Sequence, residues 1–371
     1  MSFDSILMYE NVDTTSYFRD TVKNALDASN ATTTVNKTAA VNMQTANNQE
    51  TPYIRAALGY LPYDKLDIYG AQLRWFVHSW REMLKHQDPD WRTDVVVVSE
   101  AADLEIFHEL NCTSTPRNSS TQPSACRIVA GYTPLTQRDK QFAQNRFGDS
   151  IDSVVYAAAQ QALTHYNGIL RTDWDTFLTP AFAGWRPSKL AVGMGQYCFD
   201  GQITCHRLHR IAKDMGLEPP NGQEPVDNVG STWFGDAATV VKCSQISMDV
   251  MRYLDKYEFT QIDRDRTAHN WPGWYYGVLS MYSGQIAINH CAQEIGFEKR
   301  DDMLDFPSTS NESVWDHAHL HCWQNNRMFS KSEFVRHRYD NISLSSLNTT
   351  MIKEYALFNA LQSRANESTV T

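Results

Sequence analysis

The stretch Ile169-Leu170-Arg171-Thr172-Asp173-Trp174-Asp175-Thr176-Phe177-Leu178-Thr179-Pro180 organises the reading of the chain. An apolar run suited to burial in a sheet ends in two acids spaced i, i+2. A rigid strand would therefore deliver two carboxylates to its C-terminal edge, where α/β proteins bind ligands. Two hard oxygen ligands suit Mg²⁺ or Mn²⁺ and leave coordination positions open for phosphate oxygens. The plainer alternative is that Asp173 and Asp175 begin a turn after a strand, with Asp175 capping the next element. An isolated Asp-x-Asp is common, so its surroundings decide.

Upstream, Ile151, Val154, Val155, Ala158, Ala162 and Leu163 mark a helix face, capped by Asp149 or Ser150 and stopped at Asn167-Gly168. Tyr53 to Leu61 is an apolar run stopped by Pro62 and predicts the first strand. Leu73, Phe76, Val77, Trp80, Met83 and Leu84 recur at helical spacing, and Val95 to Val98 is a β-branched run typical of a buried parallel strand. Strand, helix, strand makes a βαβ unit, and the helix before Ile169 repeats the alternation of a parallel sheet. A nucleotide would meet the strand ends, with Ser99, Glu100 or Asp103 against base or ribose; loop capping is the alternative for each. The polar segment from Asn111 to Pro123 reads as a surface insertion before a short strand at Arg127 to Ala130.

Beyond Pro180 the rhythm weakens, and Trp185, Gly193, Gly195, Tyr197, Asn228, Gly230, Trp233 and Gly235 fall in loop-like stretches. Helices are predicted near 203–215 and 237–254, and another opens at Trp271-Pro272-Gly273-Trp274 and runs to about Ile295. In Asp316-His317-Ala318-His319-Leu320-His321-Cys322-Trp323 three histidines alternate, so on a strand all three share one face. Imidazole is a good ligand for Mn²⁺ or a transition metal. The preferred reading has one histidine on the metal and the others supporting it or the substrate; a core or solvent-facing cluster is the alternative. Lys331 comes shortly after and would neutralise a leaving diphosphate.

Composition bounds the class. With 371 residues, 42% of them hydrophobic, the chain can bury a substantial core. A net charge of -10 argues against a nucleic-acid partner. No run of about 18 apolar residues occurs, so no transmembrane segment is expected, and the opening residues lack the pattern of a secretory signal. Eight Asn-x-Ser/Thr sequons, at Asn30, Asn36, Asn111, Asn118, Asn311, Asn341, Asn348 and Asn366, point instead to a secretory lumen, unless they arise by chance in an Asn/Ser/Thr-rich chain. Cytoplasm and an ER or Golgi lumen both stay open. Seven cysteines form no Cys-x-x-Cys zinc pattern; Cys112 and Cys126 flank the polar insertion and would close it in an oxidising compartment, with reduced buried thiols as the alternative.

Taken together, the strand-borne acids, the late histidine and the βα opening resemble the metal-dependent glycosyltransferases of the GT-A fold. Asn228-Val229-Gly230-Ser231-Thr232-Trp233-Phe234-Gly235 is similar to their Gly-containing acceptor loop. The resemblance implies a Rossmann-like mixed sheet flanked by helices: a polar arm over residues 1–50, a catalytic domain over 51–345 with a nucleotide half (51–180) and an acceptor half (181–345), and a C-terminal helix and tail over 346–371. It also implies a UDP- or GDP-linked sugar as donor, a glycan or glycoprotein as acceptor, and Asp173, Asp175 and His319 or His321 as metal ligands. The chain departs from the family pattern in offering three candidate histidines and in lacking an N-terminal membrane anchor.

On this reading the metal clamps the donor diphosphate and offsets charge as the bond to the sugar breaks, helped by Lys331 and Arg171. Arg171 orienting an acid is its alternative role. Asp236, Asp227 or Asp200 would deprotonate the acceptor if transfer inverts; a retaining transfer, slightly favoured by the family's late histidine, needs no dedicated base. Trp233, Trp271 and Trp274, with Tyr275 and Tyr276, are candidate sugar platforms, each with core burial as its alternative. Two other classes compete: a zinc hydrolase built on His317, His319 and His321, and a non-catalytic carbohydrate-binding protein.

Overall fold

The computed structural model describes residues 52–142, 146–198, 203–219, 224–265, 273–292, 295–322 and 329–365. The polar arm, Asp200, Trp271 and the sequons at Asn30, Asn36 and Asn366 lie outside the described residues.

The first strand, β1 (Tyr53–Leu61), has the limits its sequence predicts, because Pro62 ends the apolar run. It pairs in parallel with β2 (Trp91–Ser99), which pairs in parallel with β3 (Cys126–Val129). On its other side β1 pairs in parallel with β4 (Gly168–Arg171). Three further strands complete this sheet: β6 (Leu190–Met194), β7 (Val229–Asp236) and β8 (Phe297–Lys299), in the order β3-β2-β1-β4-β7-β6-β8. β7 runs antiparallel to both neighbours, while β8 is parallel to β6, so β7 alone is reversed. A smaller sheet joins β5 (Thr176–Leu178), β10 (His319–His321) and β9 (Phe306–Pro307), with β10 in the centre.

Side chains alternate across the large sheet and bury two helical layers. Ile54, Ala56, Leu58, Val96 and Val98 face α2 (Asp149–Ala159), α4 (Ala237–Tyr253) and α5 (Leu279–Cys291), along with α3 (Ile203–Asp214). Ala57, Leu61, Val95 and Val97 face α1 (Leu66–Leu84) and α7 (Ile352–Ala365); the one-turn helix α6 (Lys331–Val335) lies between α5 and α7 in the chain. On α1, Leu73, Phe76, Val77, Trp80 and Met83 are buried at the spacing that predicts that face, each contributing roughly 1.5–3 kcal/mol. α7 belongs to this core. Asn359 meets His78 of α1 at 2.9 Å, and the Tyr355 hydroxyl donates to the Leu178 carbonyl at 2.8 Å.

α2 ends at Ala159, earlier than the Asn167-Gly168 stop suggests, and Gln161 takes the left-handed conformation near its end (φ +57°). Asn167 instead opens β4: its side chain accepts from the Ile54 N–H at 2.8 Å, and its own N–H donates to the Ile54 carbonyl at 2.7 Å. Three disulfides form, Cys112–Cys126, Cys198–Cys205 and Cys243–Cys291, which leaves Cys322 free and buried. The last of these ties α4 to α5 across 48 residues, a closure whose loop entropy is about 4 kcal/mol. Among the described residues, no helix is long and apolar enough to cross a membrane.

Candidate metal centre

Asp173 and Asp175 lie just past the end of β4, in the turn that leads to β5. The residue between them sets their direction. Trp174 is buried against β1, where a Cβ on Gly59 would sit 2.7 Å from its ring, and it meets Phe76 edge-on at 5.2 Å. Its carbonyl accepts from the Trp75 indole at 3.0 Å. With the tryptophan turned inward, the flanking acids stay at the surface: the Asp173 side chain keeps 38% of its exposure and Asp175 14%. Thr172 and Thr176 hold the turn by donating their hydroxyls to the Asp173 carbonyl at 3.0 and 2.7 Å.

Strand pairing supplies the third ligand. β10 lies antiparallel to β5 with His321 opposite Thr176, and the Cys322 N–H donates to the Asp175 carbonyl at 2.9 Å. This closes a gap of almost 150 residues and sets His321 Nε2 3.5 Å from Asp175 Oδ1. One ligand atom each from Asp173, Asp175 and His321 falls within 4.8 Å of the other two. Two carboxylates and one imidazole, partly exposed at the C-terminal edge of parallel strands, fit a divalent cation such as Mn²⁺. Lys331, at the start of α6, donates to Asp175 Oδ2.

The electrostatics arise from this crowding. Burial pushes the Asp173 carboxyl up, aided by the charges of Asp175 and Asp305 and opposed by Arg171. Burial also acts upward on Asp175, but His321 and Lys331 outweigh it and hold this carboxyl well below the usual range. His321, half-buried, is raised well above an ordinary imidazole by Asp175 and Asp305, against the effect of desolvation. These opposite charges compensate one another where a cation would otherwise sit.

Of the three alternating histidines only His321 joins the acids. His319 is fully buried, its Nε2 paired with Thr172 Oγ1 at 2.8 Å and its Nδ1 accepting from the Asp305 N–H at 3.2 Å; burial lowers its pKa to about 4. His317 stacks on Phe306, with Nδ1 2.6 Å from the Asp302 carbonyl and Nε2 2.9 Å from Glu312. With both ring nitrogens occupied, neither is free to ligate, which corrects His319 as a ligand and leaves the three-histidine zinc site unassembled.

Other expected site residues are dispersed. Asp236 pairs with Gly168 at the opposite end of β4, because β7 is reversed, and it caps α4 by accepting from the Thr239 N–H at 3.1 Å. It is therefore not a base at this centre. Asp227 pairs with His209 at 2.9 Å and Gln285 at 2.7 Å. Trp233 is core: it is buried in β7, donates to the Gly230 carbonyl at 3.0 Å and lies under Arg171. Trp274 stacks on Phe259 and Tyr282 at 4.6 and 4.7 Å with Arg207 over its ring, and Tyr276 is buried with its hydroxyl on Asp255. Neither tryptophan is an open sugar platform. Arg171 is buried, anchored to Ser150 of α2, and 4.0 Å from Asp173, so it orients an acid. Ser99 is buried at the end of β2, its hydroxyl without a partner among the described residues, while Glu100 accepts from the Tyr60 hydroxyl and the Tyr63 N–H. Asp103 is exposed beside His108.

Residues 49–369 match the family described as a domain of unknown function (DUF7164), and the chain belongs to that family. A comparison with curated proteins finds no match.

Proposed function

We propose that this protein is a metal-dependent glycosyltransferase of the GT-A type, moving a hexosyl or pentosyl group from a nucleotide-diphosphate sugar to a glycan or glycoprotein. The observation that carries the reading is the convergence of Asp173, Asp175 and His321 at the C-terminal edge of the parallel strands. The sheet is compatible with it: four parallel strands, β3-β2-β1-β4, would form the nucleotide-binding half, and a single reversed strand, β7, separates them from β6 and β8.

Asp173, Asp175 and His321 would hold Mn²⁺ or Mg²⁺. Once bound, the cation supplies Lewis-acid stabilisation of the diphosphate as the sugar departs. The chain's own groups complete the setting. Lys331, tethered to Asp175, carries a positive charge to the side where phosphate oxygens gather. Arg171 holds Asp173 in place from beneath. An oxidising lumen suits the chain, since the three disulfides would persist there and the five described sequons, at Asn111, Asn118, Asn311, Asn341 and Asn348, are all exposed.

Isothermal titration of wild type and Asp175→Ala with UDP and with GDP, each with and without Mn²⁺, tests the reading. The expected result is metal-dependent binding of one nucleotide by wild type and none by the variant. Failure of both nucleotides to bind wild type in saturating Mn²⁺ would sink it.

A further inference from the structure

Asp305 precedes β9 and is buried where the two sheets meet. Burying a carboxylate is costly unless its oxygens are satisfied. Here two strands make room for it: a Cβ on Gly193 of β6 would lie 2.0 Å from Asp305 Oδ2, and one on Gly230 of β7 2.8 Å from the same atom. Asp305 itself adopts a left-handed backbone (φ +54°), a conformation that aspartate tolerates better than most residues. Its Oδ1 accepts from the Thr232 hydroxyl at 2.5 Å and lies 3.2 Å from His321 Nδ1; the Thr232 N–H approaches Oδ2 at 3.3 Å. Its own N–H fixes His319.

We infer that Asp305 is the positioning residue of the metal centre: by engaging His321 Nδ1 it fixes the ring and directs Nε2 to the metal beside Asp175. This rests on the proposed metal site at Asp173, Asp175 and His321. The geometry is of the kind that orients ligating histidines generally, in which the nitrogen away from the metal donates to a carboxylate, and loss of such a partner costs about 10–100-fold in metal affinity. Thr232 and the Gly193/Gly230 gap seat the carboxylate, so four residues scattered over more than a hundred positions serve one imidazole.

The test is the dissociation constant for Mn²⁺ alone, without nucleotide, measured by titration on wild type, Asp175→Ala, Asp305→Ala, Asp305→Asn and Thr232→Val, with thermal melting to confirm that each is folded. Asp305→Ala should weaken Mn²⁺ by about 10–100-fold. Asp305→Asn keeps an acceptor of the same size and should recover part of that loss, a rescue that a merely structural role would not produce. Thr232→Val, which leaves every charge in place, should weaken Mn²⁺ less than Asp305→Ala and serves with the Asn variant if the Ala variant does not fold. If the folded Asp305 and Thr232 variants bind Mn²⁺ like wild type while Asp175→Ala does not, the positioning role is overturned and the metal centre stands. If wild type itself does not bind Mn²⁺, the metal reading falls and Asp305's role with it.

Discussion

Asp94 and Asp175 are both drawn into the fold next to cationic groups, yet only one can serve a ligand. Asp94, in the N-terminal half of β2, has no exposed side chain; Arg117 grips both oxygens at 2.9 Å, and Arg127, the Tyr166 hydroxyl and the Ala125 N–H also donate to it. Its lone pairs are spent on tying the Asn111-to-Pro123 insertion, β3 and Tyr166 to β2. Asp175 keeps some exposure, has Lys331 and His321 as neighbours, and stands beside a second acid, Asp173, whose nearest guanidinium or ammonium among the described residues is Arg171 at 4.0 Å. A saturated carboxylate holds the protein together, whereas an unsaturated pair at a strand end can hold a cation.

The largest effect should come from breaking the saturated cluster. Asp94→Ala leaves two guanidinium groups buried without their acid and should cost about 3–5 kcal/mol by denaturant unfolding. A loss under about 1 kcal/mol would mean that the arginines find other partners. Next in size is the pH response of a third acid, Asp149, which accepts from the Tyr132 hydroxyl and the Leu135 N–H, with Arg138 acting on it only through its charge. Burial raises its carboxyl to about 6. Between pH 4 and 6 the folded chain therefore holds a proton that the unfolded chain has lost, so this residue makes stability fall as pH rises through that window, by up to about 3 kcal/mol. Asp149→Asn should flatten that slope in unfolding curves at pH 4 to 7. Asp94, held low by its arginines against the effect of burial, acts with the opposite sign: its contribution is present above the ordinary carboxylate range and fades as pH falls. Smallest is the open pair. Mn²⁺ at a hundred times its dissociation constant should stabilise wild type by about 2.7 kcal/mol. Asp173→Asn should abolish that gain while moving the metal-free protein by no more than about 0.5 kcal/mol.

Much of the sheet is legible in the sequence. β1 and the Val95-to-Val98 core of β2 follow from apolar and β-branched runs, and α1, α3 and α4 from their periodicity, since these patterns record burial directly. The i, i+2 spacing of Asp173 and Asp175 also marks the carboxylate pair. Strand direction is not written locally. Asp236 follows a glycine-containing stretch and looks like an acceptor-side acid, but β7 is reversed and carries it to the far edge of the sheet. Exposure is not written either, so Trp233 and Trp274 look like sugar platforms while both are core.

Local sequence suffices for an α/β chain, a pair of acids at a strand end, and a late segment of three alternating histidines, of which the strand itself takes His319 and His321. Which histidine joins the acids is a property of the folded chain, because it depends on the antiparallel register of β10 against β5 and on which ring nitrogens are already bonded. The place of Asp305 is another such property: no local pattern marks it, since its surroundings come from Gly193, Gly230, Thr232 and His321. The physical reason is range: burial patterns are set by neighbours three or four residues apart, whereas a ligand set is fixed by pairings that close only when distant strands meet.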